Sequence, residues 1–222
     1  MHGPPWDSDD PGDHPIIAGN VRALLTHLQA TSAGDPPDIA DVLDWHTRLY
    51  AGCAVPVRGY VGHFRGDPGI PELIGYEVGV GPTMADGLPE RVGVWSTQVS
   101  AEVSDFLQGI GRATAYVDDA MGGSGPTTSD DLGLVVDLAA VAHGDWLRIH
   151  PFTNGNGRIA RVWAAWAALR YGLPVFVTVK PRPDGLVYLR AATASMGRPP
   201  AFSGDHRPTA AVFAGMLNAA LR

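Results

Sequence analysis

The stretch LGLVVDLAAVAHGDWLRI, residues 132–149, constrains the fold more than any other part of the chain. It is apolar on most sides as far as Ala142. A helix that is apolar nearly all round is usually buried at the centre of a bundle. Thr128 and Asp131, just before it, match a capping box with Asp in the position usually taken by Glu or Gln. The sequence therefore predicts a central helix around which the other elements pack.

Helical periodicity recurs on both sides of this segment. Apolar residues spaced three and four positions apart predict amphipathic helices. Asp38 is placed to cap the second of them, and Gly172 followed by Pro174 ends the one that begins at residue 156. The remaining predicted helices cover residues 16–30, 39–52, 92–109, 156–171, 184–196 and 209–222. We predict a mainly α fold in which residues 15–222 form a single domain.

The region between Cys53 and Pro89 has a different character. It is rich in Gly and Pro and contains two β-type runs, residues 57–64 and 73–81. Glycines at positions 75, 79 and 81 are dense for a buried strand. We therefore predict a small surface β-hairpin, here called the flap, over about residues 57–81. A surface ribbon without a binding role is the alternative.

Residues 1–14 are acidic and rich in Pro and Gly, which predicts a disordered N-terminal tail. They lack the basic region and apolar run of a secretory signal, and no apolar stretch is long enough to predict a membrane span. A single cysteine, Cys53, fits a reducing compartment. The net charge of −7 disfavours binding to a nucleic-acid backbone. We predict a cytoplasmic protein that binds neither nucleic acid nor membrane.

The segment HPFTNGNGRIAR, residues 150–161, combines the residue types of a phosphate site. The turn 155–157 precedes a predicted helix, whose first N–H groups are unpaired and favour an anion. Glycine lets a phosphate approach the backbone closely. Arg158 and Arg161 lie on one face of the first helical turn, so two guanidinium groups stand beside the nest of amides.

His150 stands immediately before this nest. From there it can accept a proton from a hydroxyl that attacks phosphorus. A histidine at a helix end is more often a cap or a core residue. The combination of imidazole, glycine turn and two arginines within twelve residues nevertheless favours phosphate chemistry.

These residues resemble the signature of the Fic family, H-P-F-x-[D/E]-G-N-G-R-x-x-R. The matching positions are His150, Pro151, Phe152, Gly155, Asn156, Gly157, Arg158 and Arg161. The likeness extends more loosely over about residues 40–195. It implies a Fic-type helical bundle with a flap. It also implies transfer of AMP from the co-substrate ATP to a Tyr, Thr or Ser hydroxyl of a target protein, although relatives move UMP, phosphocholine or phosphate.

The resemblance also implies roles for individual residues. His150 would be the general base, residues 155–157 the anion nest, and Arg158 and Arg161 the groups that hold the departing phosphates. The flap, Gly75, Tyr76, Glu77, Val78 and Gly79, would align the target segment by β-pairing. Tyr188 would stack on the nucleotide base. A tyrosine of the core is the alternative for that position.

Asn154 departs from the family pattern, which has a Mg²⁺-binding carboxylate at this position. An amide oxygen can ligate Mg²⁺ but brings no charge. We therefore predict a weakened Mg²⁺ site at Asn154. The substitution leaves open a different transferred group, or a nucleotide- or peptide-binding module with little or no transfer.

Many Fic proteins are inhibited by a glutamate of the motif [S/T]-x-x-x-E-[G/N]. The chain has four glutamates, and none is followed by Gly or Asn. The resemblance then implies that such an inhibitory element is missing or lies on a separate, antitoxin-like chain. We also expect no glutamate of this chain to pair with Arg161.

Overall fold

The computed structural model describes residues 4–6, 8–83, 89–197 and 204–222. Within these ranges the protein is mainly α with one two-stranded sheet, which confirms the predicted fold class. The helices are α1 His14–Thr31, α2 Ile39–Leu49, α3 Val99–Ala120, α4 Ser129–Ile149, α5 Asn156–Arg170, α6 Leu186–Met196 and α7 Arg207–Ala220. The strands are β1 Val78–Thr83 and β2 Pro89–Val92.

Helix α4 occupies the centre of the bundle, as its composition predicts. It packs against α3, α5, α6 and α7. The predicted capping box is present: Asp131 N–H donates to the Thr128 hydroxyl (3.1 Å), and Thr128 N–H donates to the Asp131 carboxylate (2.8 Å). The cap fixes where the central helix begins, so the buried faces of α4 meet all four neighbours.

Helix α5 is the main partner of α4 and is buried along most of its length. Trp146 of α4 and Trp163 of α5 lie 6.1 Å apart between ring centroids, and Phe106 of α3 contacts both. Ala160, Ala164 and the other small residues of α5 let the helices approach closely. The motif 150–161 comprises the short connection between α4 and α5 and the first residues of α5, so the two buried central helices position it.

The hairpin exists, but the predicted bounds of about 57–81 are wrong, and from here on the name flap refers to strands β1 and β2. β1 pairs antiparallel with β2, with Val78 opposite Val92 and Gly79 opposite Arg91. The segment 57–77 instead makes short 3₁₀ turns, which bury Tyr60 and Leu73. Residues at the start of the predicted 92–109 helix fit a helical period, yet α3 begins at residue 99 because β2 takes Val92. Strand pairing is non-local and overrides that local pattern.

The prediction of a disordered tail over residues 1–14 is wrong for residues 4–6 and 8–14; residues 1–3 and 7 lie outside the described ranges. Trp6 is 3% exposed, and its backbone N–H donates to the Tyr76 hydroxyl (3.1 Å). The Tyr60 hydroxyl donates to Pro4 O (2.9 Å), and Ala54 N–H donates to the Asp13 carboxylate (2.9 Å). One buried tryptophan and specific polar contacts outweigh the polar average composition. We call residues 4–6 and 8–13 the N-terminal strap.

None of the described helices combines the length and the apolar character needed to cross a bilayer.

Candidate active site

A pocket of about 280 Å³ opens at the junction of α4 and α5. It brings together residues of the motif, the flap and the N-terminal strap. Its lining comprises Trp6, Val78, Gly79, His150, Thr153, Asn154, Gly155, Asn156, Gly157, Arg158, Arg161 and Arg182. All the residues predicted for the base, the nest, the two arginine positions and the metal position therefore face one cavity.

His150 caps the C-terminus of α4 in the left-handed conformation (φ 55°, ψ 54°). Its Nδ1 lies 3.2 Å from Leu147 O. Because a carbonyl oxygen can only accept, Nδ1 carries the proton of the neutral ring and Nε2 is left unprotonated. The capping role and the base role are thus compatible, since the cap sets the tautomer.

Burial lowers the pKa of His150 to about 4, and the positive charge of Arg65 contributes further. The imidazole is therefore neutral at neutral pH, with a lone pair on Nε2. A backbone constraint reinforces its position. A Cβ on Gly93, which has φ +80°, would lie 2.5 Å from the His150 Cβ and 2.6 Å from Ile149 O, so only glycine fits there.

Arg65 links the flap to the C-terminal end of α4, although it belongs to no sequence motif. It is 1% exposed. Its guanidinium donates to His150 O (2.8 Å), Val94 O (2.9 Å) and the Glu77 carboxylate (2.9 Å). The other carboxylate oxygen of Glu77 accepts from Ser96 N–H (2.9 Å). Arg65 and Glu77 thus fix the base of the flap beside His150.

The five predicted flap residues divide into two groups. Val78 and Gly79 of β1 line the pocket. Gly75, Tyr76 and Glu77 precede the strand and lie at its base, where the hydroxyl of Tyr76 accepts a hydrogen bond from the strap. Alignment of a target segment by these residues remains a prediction, and Val78 and Gly79 are the ones positioned for it.

The glycine turn is held by side chains as well as by its own backbone. Asn156 Oδ1 accepts from Phe152 N–H (2.9 Å), and Asn156 Nδ2 donates to Phe152 O (2.7 Å). Gly155 has φ +82°, and a Cβ there would lie 2.8 Å from the Tyr50 hydroxyl. The side chain of Asn156 therefore closes the loop, and the predicted anion nest would consist of backbone amides at the start of α5.

His46 of α2 supports the same loop. Its ring stacks on Phe152, with centroids 3.8 Å apart and planes 13° apart. Gly62 N–H donates to Nδ1 (3.0 Å), so Nε2 carries the proton and donates to Asn154 O (3.1 Å). Burial lowers the pKa of His46 to about 3. The sequence places His46 on the apolar stripe of α2, a position that signals burial but does not identify the loop it contacts.

Arg161 is buried, and residues outside α5 hold its guanidinium group. Its Nε donates to Val179 O (3.0 Å) and its Nη1 to the Tyr188 hydroxyl (3.3 Å). Tyr188 is 4% exposed, and its hydroxyl lies 2.9 Å from His143 Nε2. Stacking of Tyr188 on a nucleotide base is therefore wrong, because the ring is buried outside the pocket lining. Within the described ranges, Arg161 has no glutamate partner.

Arg158 is paired with the carboxylate of Asp9, which lies in the N-terminal strap. Its Nη1 donates to Asp9 Oδ1 (3.2 Å) and to the Tyr50 hydroxyl, and its Nη2 forms a short ion pair with Asp9 Oδ2. Lys180 Nζ lies 3.8 Å from the same carboxylate. Sequence reasoning missed Asp9 because it assigned residues 1–14 to a disordered tail.

Asn154 is the position where the resemblance implies a metal ligand. Its Oδ1 accepts from Gly155 N–H (2.6 Å), and its Nδ2 lies 3.4 Å from Asp9 Oδ1. No group of three or more His, Cys, Asp or Glu suited to a metal occurs in the described ranges. The Mg²⁺ site at Asn154 stays a prediction. The buried Thr153 hydroxyl also lacks a partner among the described residues.

Comparisons with known proteins agree with this geometry. A model of the Fic/DOC family matches residues 36–168, more than half of the chain. The "Protein adenylyltransferase Fic" of Nematostella vectensis is 38% identical over 65 residues, a match that covers 29% of this chain and 15% of that protein.

Two solved structures share the fold. A Fic domain containing signaling protein from Bacteroides thetaiotaomicron superposes with a TM-score of 0.62 at 20% identity, covering 92% of this chain and 69% of that one. Fic-1 (aa134–508) from C. elegans superposes with a TM-score of 0.56 at 23% identity, covering 90% of this chain and 47% of that one. On the family match and this shared fold, the chain belongs to the Fic/DOC family.

Proposed function

We propose that the chain transfers AMP from ATP to a Tyr, Thr or Ser hydroxyl of a target protein. One observation carries the proposal: the unprotonated Nε2 of His150 shares a pocket with the amide nest, Arg158 and Arg161. Family membership and the partial relative named as an adenylyltransferase support it. A cytoplasmic location and a protein target belong to the same proposal.

In the proposed reaction, His150 Nε2 accepts the proton of the target hydroxyl. The hydroxyl oxygen forms a bond to the α-phosphorus, and the bond between that phosphorus and the oxygen bridging to the β-phosphorus breaks. Pyrophosphate leaves and AMP remains on the target. Arg158 and Arg161 stabilise the negative charge that develops on the departing phosphates.

The pKa of His150 is low in the ligand-free chain, and a bound nucleotide would raise it towards the operating pH. A general base works best when its pKa lies near the operating pH. Without ligand, the pKa is lowered to about 4. An anion within about 4–6 Å favours the protonated imidazole, so bound polyphosphate raises the pKa of His150. Nucleotide binding therefore strengthens the base at the moment when it is needed.

The flap and the metal complete the proposal. Val78 and Gly79 offer a strand edge along which a target segment can add, a general mode of peptide recognition. ATP would bring Mg²⁺ mainly on its own phosphate oxygens, with Asn154 offering a neutral amide oxygen.

A second candidate function is nucleotide or peptide binding with weak or no transfer. Two features favour it: the amide at Asn154, where the family pattern has a carboxylate, and the ion pair that engages Arg158. The two candidates differ in whether a covalent product forms.

Labelled ATP separates the candidates. The full chain is incubated with Mg²⁺ or Mn²⁺ and either α- or γ-³²P-ATP, and protein-bound label is measured. AMP transfer predicts label from the α position only. His150→Asn, in which Asn tolerates the left-handed backbone, should abolish it, whereas exposed His14→Asn should retain it. Label from the γ position would show phosphoryl transfer, and binding without label would support the second candidate.

A further inference from the structure

The carboxylate of Asp9 fills part of the cationic site. Its side chain is 6% exposed, and it meets Arg158 at two points. Burying two charges is costly unless they are matched to each other. A phosphate oxygen pair can satisfy the same fork of guanidinium donors. Asp9 therefore takes the position that a phosphate would need.

Lys180 adds a second cation to this position. Its ammonium lies 3.8 Å from Asp9, and its side chain is 19% exposed. Burial and the charge of Arg158 both lower the pKa of Lys180. Without Asp9, two cations would face each other across a gap, an arrangement that favours a ligand with more than one negative charge.

The N-terminal strap also occupies space that a nucleotide would use. Trp6 forms one wall of the pocket, whose volume of about 280 Å³ is at the lower end of the usual range for small-molecule sites, about 300–1,000 Å³. Besides Asp9, the strap is held by the buried ring of Trp6, which packs against Tyr50 and Tyr60, and by polar contacts such as the hydrogen bond from the Trp6 backbone N–H to the Tyr76 hydroxyl. Withdrawal of the strap would both free the cations and enlarge the cavity.

We propose that Arg158 and Lys180 form a phosphate subsite that Asp9 occupies in the resting chain, so that a polyphosphate binds there as the N-terminal strap withdraws. The inference rests on the proposed function, because it names the groups that receive the nucleotide's phosphates. The sequence resemblance implied that any inhibitory element would lie on a separate chain. In the proposal, the competing anion is Asp9 of this chain.

Calorimetric titration with inorganic tripolyphosphate tests the subsite in the full chain. Asp9→Asn should bind tripolyphosphate about tenfold more tightly, because less of the chain is held in the closed form. Lys180→Gln should bind about tenfold more weakly, since it loses one charge-assisted contact. The matched control is Asp10→Asn: Asp10 is exposed and accepts from Gly12 N–H, a bond that Asn also makes. Its affinity should stay within about twofold of the wild type.

Hydrogen exchange in the wild-type chain separates withdrawal of the strap from a simple charge effect. The backbone amides of residues 8–10, 12 and 13 should exchange faster when tripolyphosphate is bound. Unchanged or weaker binding by Asp9→Asn, or slower exchange in the strap, would overturn the inference. The exchange measurement needs no substitution, so it decides the matter even if Asp9→Asn folds poorly.

The proposed function and the subsite fail in different ways. If Asp9→Asn tightens tripolyphosphate binding but no α-label reaches protein, AMP transfer is excluded and the subsite stands. If α-label reaches protein in a His150-dependent manner while Asp9→Asn changes neither affinity nor exchange, the subsite is excluded and the function stands.

Discussion

The imidazole of His46 lies nearly parallel to the ring of Phe152, with 3.8 Å between the centroids, and links α2 to the motif loop. Both ring nitrogens are used as well, one by Gly62 N–H and the other by Asn154 O. One residue outside the motif thus fixes the aromatic anchor and the carbonyl that precedes the glycine turn.

His46→Phe should keep the stacking but lower the free energy of unfolding. Gly62 N–H and Asn154 O would lose their buried partner, at a cost of about 1–3 kcal/mol for each group left unsatisfied. Urea denaturation measures the loss. His14→Phe, at an exposed site, is the control and should change little. A His46→Phe chain as stable as the wild type would show that the two hydrogen bonds do not hold the loop.

Acidification should destabilise the chain through His46, His143 and His150. Burial lowers the pKa of His46 and His143 to about 3 and that of His150 to about 4, whereas an unfolded histidine has a pKa of about 6.5. The unfolded state therefore binds more protons between these values, so stability is complete above pH ~6.5 and is lost as the pH falls towards 3. The slope reaches about 1.4 kcal/mol per pH unit for each histidine.

Urea denaturation across pH 4–8 measures this slope, and His46→Phe should reduce it by about a third if the three histidines contribute equally. A pH-independent free energy of unfolding in this window would contradict the assignment of neutral, buried imidazoles.

Local and non-local signals explain what the sequence could predict. Thr128 and Asp131 form a cap within four residues, and the glycine turn and two arginines lie within seven residues, so short-range rules locate α4 and the nest. Arg65 is different, because its partners at Glu77 and His150 are 12 and 85 positions away. Contacts between residues so far apart in the sequence produce no periodic pattern from which they could be predicted.

The N-terminal strap shows the same limit. Average composition over residues 1–14 is that of a disordered segment, yet Trp6 and Asp9 find specific partners in the fold. Tyr188 illustrates the converse case: its place after the motif helix suits either a base-stacking or a core tyrosine, and only packing against His143 selects the latter.

Arg65→Met should strongly destabilise the chain and loosen the flap. The change would leave the carboxylate of Glu77 and the carbonyls of His150 and Val94 without their shared donor. Removing one partner of a buried ion pair costs about 3–5 kcal/mol, with the lower end expected because Glu77 is partly exposed. Thermal unfolding measures the loss, and Arg190→Met on the exposed face of α6 is the control. Equal melting temperatures for the two variants would refute this role.

Tyr188→Phe should slow transfer more than it weakens nucleotide binding. The lost hydroxyl leaves Arg161 Nη1 without its 3.3 Å acceptor, while Val179 O still holds Nε. Loss of one such bond is worth about 1 kcal/mol, or roughly a fivefold change in rate. Rates of α-label transfer and dissociation constants for ATP provide the two readouts. Tyr116→Phe, at an exposed site on α3, is the control; the same fivefold loss there would indicate a nonspecific effect.

Asn154→Asp should reduce the Mg²⁺ concentration needed for transfer and should also loosen the strap. A carboxylate is a stronger Mg²⁺ ligand than an amide oxygen. The same change replaces the Nδ2 donor 3.4 Å from Asp9 with a like charge, which repels the strap. Comparing Asn154→Asp with Asp9→Asn and the double variant separates the two effects. The lower Mg²⁺ requirement should persist in the double variant, because the carboxylate that binds the metal is at residue 154. The faster strap exchange should not add to that of Asp9→Asn, because the Asp9 carboxylate that would be repelled is absent from the double variant. A half-maximal Mg²⁺ concentration identical to that of the wild type in both backgrounds would show that residue 154 does not act on the metal.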